Sequence, residues 1–352
     1  MMGVWAAIIL SAGGAWAQVL TPTGYSGDWV FTNQEAIVVF QGGRQTLALE
    51  ARYEILPVDP QGPPLAPPER LGWIIPIPAG GTLAELPAAG VFADLYQMSH
   101  PSAKKRYNLR TGRPTAMNRF GENIFGGSGY ASEDTTLSWT LFEGGGQGAL
   151  DALNKWIADQ GLEGLSEDLA RDYAEEGWTF AAGLAQNVGE AGLLGPAAFE
   201  FPSEEVVLPL RFQADADEFD LTLYIVSDKI LDTRALSGWR IGGVDAWERE
   251  NRDAWFQGYM NLSEAGAPES LTSYVNLFRP SGGGAEQPLY FHVLAAEMLN
   301  GYGRTTARQT TDFSLPEKGK PTQRLTNRKS SDEERRDRLR RMRHRNFRRM
   351  SR

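Results

Sequence analysis

Three observations predict an α+β fold: mixed, mostly antiparallel sheets with a few packed helices, plus a disordered basic C-terminal tail. Two apolar runs flank Gly42-Gly43. Two amphipathic stretches follow one another after Gly144. Fifteen basic residues crowd positions 317–352. Apolar residues make up 41% and charged residues 22%, which suits a globular chain. The 39 glycines and 20 prolines imply many turns.

The chain opens with Met1-Met2-Gly3, an apolar run Val4 to Leu10, then small residues ending Ala15-Trp16-Ala17. That order fits a secretory signal peptide over residues 1–17 with cleavage before Gln18. The run is too short to cross a bilayer, which needs about 20 apolar residues. The expected location is therefore exported, either periplasmic or extracellular at the cell surface. Residues 18–315 form the body, and 316–352 the tail.

Residues 18–33 read as irregular. Ala36 to Phe40 and Thr46 to Tyr53 then read as a hairpin around Gly42-Gly43. Six prolines between 57 and 68 make a stiff extended loop. Leu71 to Pro78 is strand-like, but Pro76 and Pro78 lack an N–H, which predicts an edge strand or a strand end. Thr82 to Glu85 could open a helical turn as a capping box. A short helix fits Val91 to Met98 better. Residues 99–134 hold many basic and small residues with no apolar period, as in a long mobile surface loop.

Thr135 to Phe142 alternates as a strand. A helix follows to Gln160, with Leu150, Leu153, Trp156 and Ile157 on one face and Gly161 as its stop. A second helix opens at Ser166 with Glu167 and Asp168 in its first turn, and ends near Gly177. Trp178 to Val188 reads as a strand. Glu204 to Phe212 and Phe219 to Ser227 read as an antiparallel pair. Asp245 to Tyr259 reads as a helix with i,i+4 ion pairs. Ser273 to Phe278 suggests a strand, and Pro288 to Met298 a strand or helix. Order is expected to end near Phe313.

Chemistry is constrained mainly by what is missing. There is no cysteine, which removes thiol catalysis, disulfides, cysteine-ligated metals and lipoprotein acylation. The three histidines, His100, His292 and His344, are too far apart for an HExxH pair. Gly144-x-Gly146-x-x-Ala149 before a helix matches a dinucleotide fingerprint in outline, with Glu167 and Asp168 about 20 residues on. A second helix follows where that fold needs a parallel strand, so the glycines read as a turn and no cofactor is expected. Asp215, Asp217, Glu218 and Asp220 form an acidic turn without EF-hand spacing, and no metal is expected. Trp239, Trp247 and Trp255 could stack on sugars, but their spacing also suits a core.

The charge is divided. Residues 317–352 hold 15 basic and 5 acidic residues, a net of +10, which leaves −19 for the rest. Such a like-charge block stays solvated and disordered. Its candidate polyanion-binding residues are Arg335, Arg336, Arg338, Arg340, Arg341, Arg343, Arg345, Arg348 and Arg349. The expected partner is an anionic envelope polymer or membrane surface.

Several segments together resemble a bacterial exported family known as domain of unknown function 2330. They are Gln34 to Tyr53, Trp73-Ile74-Ile75-Pro76-Ile77-Pro78, the helix around Leu150 to Trp156, Tyr173…Gly177-Trp178-x-Phe180, and Leu208-Pro209-Leu210-Arg211-Phe212 followed by Leu221 to Val226. The proline-rich loop, the basic tail and the absent cysteines depart from it. The resemblance implies export and a mixed α/β domain, and it assigns no catalytic residue. The expected function is a non-catalytic binding or structural module of the envelope or surface. The alternative is a carboxylate-dependent hydrolase acting on envelope glycans or peptides, whose two acids need only the right separation.

Overall fold

The hairpin around Gly42-Gly43 frames the structure. In the computed structural model it joins β2 (Asp28–Gln41) to β3 (Arg44–Leu56). The structure describes residues 18–56, 66–99, 136–212, 218–231, 241–242, 260–262, 267–279, 288–299, 313–315 and 317. All of them belong to one unit, Met1–Lys318. Gly42 and Gly43 both hold positive φ, as a two-residue hairpin turn requires. β2 therefore starts inside the stretch expected to be irregular. That stretch also holds β1 (Gln18–Pro22).

Two sheets pack face to face. The small one runs β6 (Thr136–Phe142), β8 (Thr179–Gln186), β4 (Arg70–Ile77), β1 and β7 (Leu162–Glu163). The large one runs β12 (Ile241–Gly242), β14 (Tyr290–Leu299), β11 (Glu218–Ser227), β2, β3, β9 (Ala191–Pro202) and β5 (Thr82–Leu83). β13 (Met260–Asn261) also pairs with β14. The ladders are antiparallel, except that β11 runs parallel to β2. Period-two alternation sorts the side chains. Ala36, Val38 and Phe40 meet Leu71, Trp73, Ile75 and Ile77 between the sheets.

Helices cover both outer faces. α2 (Gly146–Asp159) and α3 (Glu167–Glu175) lie on the small sheet, burying Leu150, Leu153, Ile157 and Tyr173 against Ile74, Phe180 and Ala182. α1 (Val91–Ser99) and α4 (Glu269–Leu277) lie on the large sheet against Ile37, Val39 and Val226. The result is four layers, α/β/β/α, in agreement with the α+β expectation. β10 (Val206–Leu208) pairs with β15 (Phe313–Leu315). The buried Gln45 amide holds the other side of β10: it donates to the Val207 carbonyl at 2.7 Å and accepts the Val207 N–H at 2.8 Å. That satisfies backbone groups that cannot be solvated there.

Several expectations need correction. Of the edge-or-strand-end alternatives for the prolines of β4, the edge is wrong, since β4 lies between β8 and β1, and the strand end holds, with Pro76 in its last two residues and Pro78 just past it. β1 pairs only with Gly72 to Ile74, so beyond it β4 has a partner on one side only, and Pro76 falls there. Thr82-Leu83 is a strand paired with β9, not a capping box. Ser273 to Leu277 belongs to α4, with Phe278 as its C-cap, because Leu271, Tyr274 and Val275 are buried at helical spacing. Residues 204–212 do not pair with β11: β10 takes β15, and β11 takes β14 and β2. Of the strand-or-helix alternatives for 288–298, the strand holds, as β14. The expected loop at 99–134 lies outside the described residues beyond Ser99. So do the 245–259 helix and the basic tail. The 57–68 loop is described only from Ala66.

Candidate functional site

Two motifs quoted separately above, at 173–180 and 208–212, meet in one cluster. Arg211 follows Pro209-Leu210 at the end of β10, and its side chain is 5% exposed. Its guanidinium donates twice to Glu176, Nη1 to Oε1 at 2.8 Å and Nη2 to Oε2 at 2.6 Å. The same group lies 3.8 Å from the centre of the Tyr173 ring and 5.9 Å from that of Trp178. The Arg211 backbone N–H donates to the Tyr173 hydroxyl at 3.1 Å. Gly177 has positive φ and turns the chain so that Trp178 N–H reaches the Tyr173 carbonyl at 3.0 Å. A bidentate carboxylate and a ring face are the partners that a planar guanidinium suits best. Asp172 nearby is held above the usual carboxylate range, foremost by desolvation and against the pull of Arg211. The cluster ties α3 to the end of β10. Its cation is already neutralised, so it serves as an anchor.

A second cluster lies on the outer face of the large sheet. Glu35 stands opposite Glu50 across the β2–β3 ladder and opposite Thr222 across the β2–β11 ladder. Tyr224 Oη donates to Glu35 Oε1 at 3.2 Å. Arg52 Nη2 lies 3.9 Å from Glu50 Oε1. Glu35 is buried, and burial foremost, with Glu50 adding to it, pushes its carboxyl up to about 8. Burial also raises Glu50, opposed by Arg52.

The glycine pattern at 144–149 serves packing. Gly144, Gly145 and Gly146 all have positive φ. A Cβ on Gly145 would stand 2.5 Å from the Gly177 carbonyl oxygen, so the turn needs glycine to press against the end of α3. The order is β6–α2–β7–α3–β8, so a two-residue strand, not the second helix directly, follows α2; β7 is antiparallel to β1 and β6 to β8, unlike a dinucleotide-binding unit. Ala149 is buried in the α2 core. Glu167 is exposed, and Asp168 pairs with Arg171 at 3.1 Å on the surface.

His292 is buried in β14 opposite Ile225. His100, His344, Trp239, Trp247, Trp255, Asp215, Asp217 and the tail arginines from Arg335 to Arg349 lie outside the described residues. Glu218 and Asp220 fall in β11. Among the described residues no group of three or more acidic or histidine side chains is placed to hold a metal. An open groove of about 400 Å³ lies at the start of β4, between Pro68, Arg70 and Gln186, away from both clusters. Among the described residues no helix is long and apolar enough to cross a membrane.

Sequence reasoning missed the Glu35–Glu50 pair, though its signal was present. A two-residue turn at Gly42-Gly43 pairs residues whose numbers share one sum, which sets Glu35 against Glu50. Comparison of the chain with protein-family models, curated proteins and solved structures finds no match.

Proposed function

We propose that the chain is an exported envelope or surface protein, a non-catalytic binding or structural module held by its basic tail to an anionic polymer or membrane surface. The observation behind this reading is the division of charge. Residues 319–352, beyond the unit that holds the described sheets, carry 14 basic and 4 acidic residues, a net of +10. The remainder carries −19. A segment of that charge attracts polyanions over a Debye length of about 8 Å at physiological salt. The family resemblance and the signal-like N-terminus are the support for export.

Deleting residues 319–352 is expected to leave the thermal unfolding transition in place and to abolish retention on heparin-like resin and anionic vesicles. Full-length protein should elute from the resin at moderate salt. A truncated chain that binds equally well would refute the role of the tail. Finding the intact, uncleaved chain in a cytosolic fraction by N-terminal sequencing would refute export.

One observation favours the hydrolase as a second reading: Glu35 and Glu50 face each other across the ladder, and burial raises both carboxyls. Two carboxyls so close do not ionise together, so one can hold a proton while the other acts as a base. Glu35 keeps only 3% of its surface, however, and the groove lies elsewhere. Loss of any glycan- or peptide-cleaving activity in Glu35→Gln would support this reading.

A further inference from the structure

Glu35 and Glu50 are brought together by backbone register, not by side-chain choice. They sit directly opposite in the β2–β3 ladder, where Cβ atoms lie about 5 Å apart. Glu35 is 3% exposed, and the Glu50 side chain is 12% exposed. The described titratable and charged side chains acting on Glu35 are Glu50 and Arg52 from β3 and Tyr224 from β11. Arg52 is the cation of the group, and it is an incomplete partner. Its contact with Glu50 is 3.9 Å, and its buried Nε has no hydrogen-bond partner among the described residues. Thr222, the cross-strand neighbour from β11, is neutral. Ionising both acids would leave two like charges in a largely buried site against one loosely held cation that is itself partly exposed. Such a charge is expensive unless it is paired or neutralised.

We propose that the Glu35–Glu50 pair is a proton-operated latch of the large sheet. With one proton retained, β2, β3 and β11 lie together. When the proton leaves, the outer face opens locally at this end of the hairpin.

The direction follows from linkage. In the unfolded chain Glu35 gives up its proton near 4.5, while in the fold it keeps it to about 8. Between those values the native state binds more protons than the unfolded state, so stability falls as pH rises. Tyr224 and Arg52 work against the rise, because both favour the ionised carboxylate. The latch is therefore closed in acid and weakest on the alkaline side of neutrality.

The test uses the full chain and two readouts. Amide hydrogen exchange of β2, β3 and β11 is followed from about pH 5 to about pH 9, after correction for the intrinsic rate. The opening constant should rise by up to about tenfold per pH unit below 8 and then level off. Glu35→Gln, a neutral isostere, should flatten this rise, and Glu50→Gln should shift it to lower pH. Infrared difference spectra should show a protonated carboxyl band at neutral pH that disappears above about 8 and is absent in Glu35→Gln. An unchanged pH dependence in Glu35→Gln would overturn the proposal. If that variant does not fold, the wild-type spectrum decides: no titrating carboxyl band, no latch.

Discussion

Arg211 and Glu35 are both buried ionisable residues, but the fold accommodates them differently. Arg211 meets a fork-shaped partner in Glu176, and its face is covered by Tyr173. Glu35 meets another carboxylate, a tyrosine hydroxyl and a distant arginine. The first site is complete in its own side chains, so its strength should not depend on solvent acidity near neutrality. The second is completed by a proton, which the solvent supplies or withdraws. Burial alone therefore does not tell whether a charge anchors a fold or makes it conditional; the partner does.

The largest effect should come from breaking the complete site. Arg211→Ala leaves Glu176 without its cation and opens a gap beside Tyr173. It should cost about 1.5–3 kcal/mol by urea denaturation, nearly equal at mildly acid and mildly alkaline pH, because the Glu176 carboxylate left behind is partly solvated. A loss below about 1 kcal/mol would make the cluster no more than a surface pair. A smaller effect is expected at the incomplete site. Tyr224→Phe removes the hydroxyl that donates to Glu35 and should cost about 1 kcal/mol in acid. It should cost more above about pH 8, because a hydrogen bond to an ionised group is stronger. An equal cost across that range would remove the contrast between the sites. The smallest effect belongs to a charge pair outside both. Lys155 and Asp159 sit at i,i+4 on α2, with side chains 76% and 57% exposed. Lys155→Ala should change the unfolding free energy from urea denaturation by less than about 0.5 kcal/mol, with a salt dependence neither buried site shares.

Much of the fold was legible where local pattern decides. The Gly42-Gly43 turn and its apolar flanks mark the hairpin, and the 3.6 period marks α2 and α3. β9 was not read, because Ala191-Gly-Leu-Leu-Gly-Pro-Ala-Ala lacks the residues that strands favour. Its small side chains suit close packing beside β3, and Gly195-Pro196 falls where the β3–β9 register shifts. α4 was mistaken for a strand because Ser273 to Phe278 is too short a window for the two periods to differ. The Arg211 cluster joins residues 35 positions apart in sequence. Each half was visible as a motif, while their contact was not. The partner of β11 was unreadable for a plainer reason. Its parallel neighbour β2 lies nearly two hundred residues upstream, and no local signal names it.

That parallel junction also governs when folding can finish. β2 and β3 can form their hairpin as soon as Leu56 is made. The inward row of Leu221, Leu223 and Ile225 arrives only with the strand ending at Ser227. Until then one side of β2 stays an open edge, with its apolar residues short of neighbours. Contacts so distant along the chain form slowly. A growing or threading chain should thus remain unfinished, and vulnerable to proteases, through about the first two-thirds of its length.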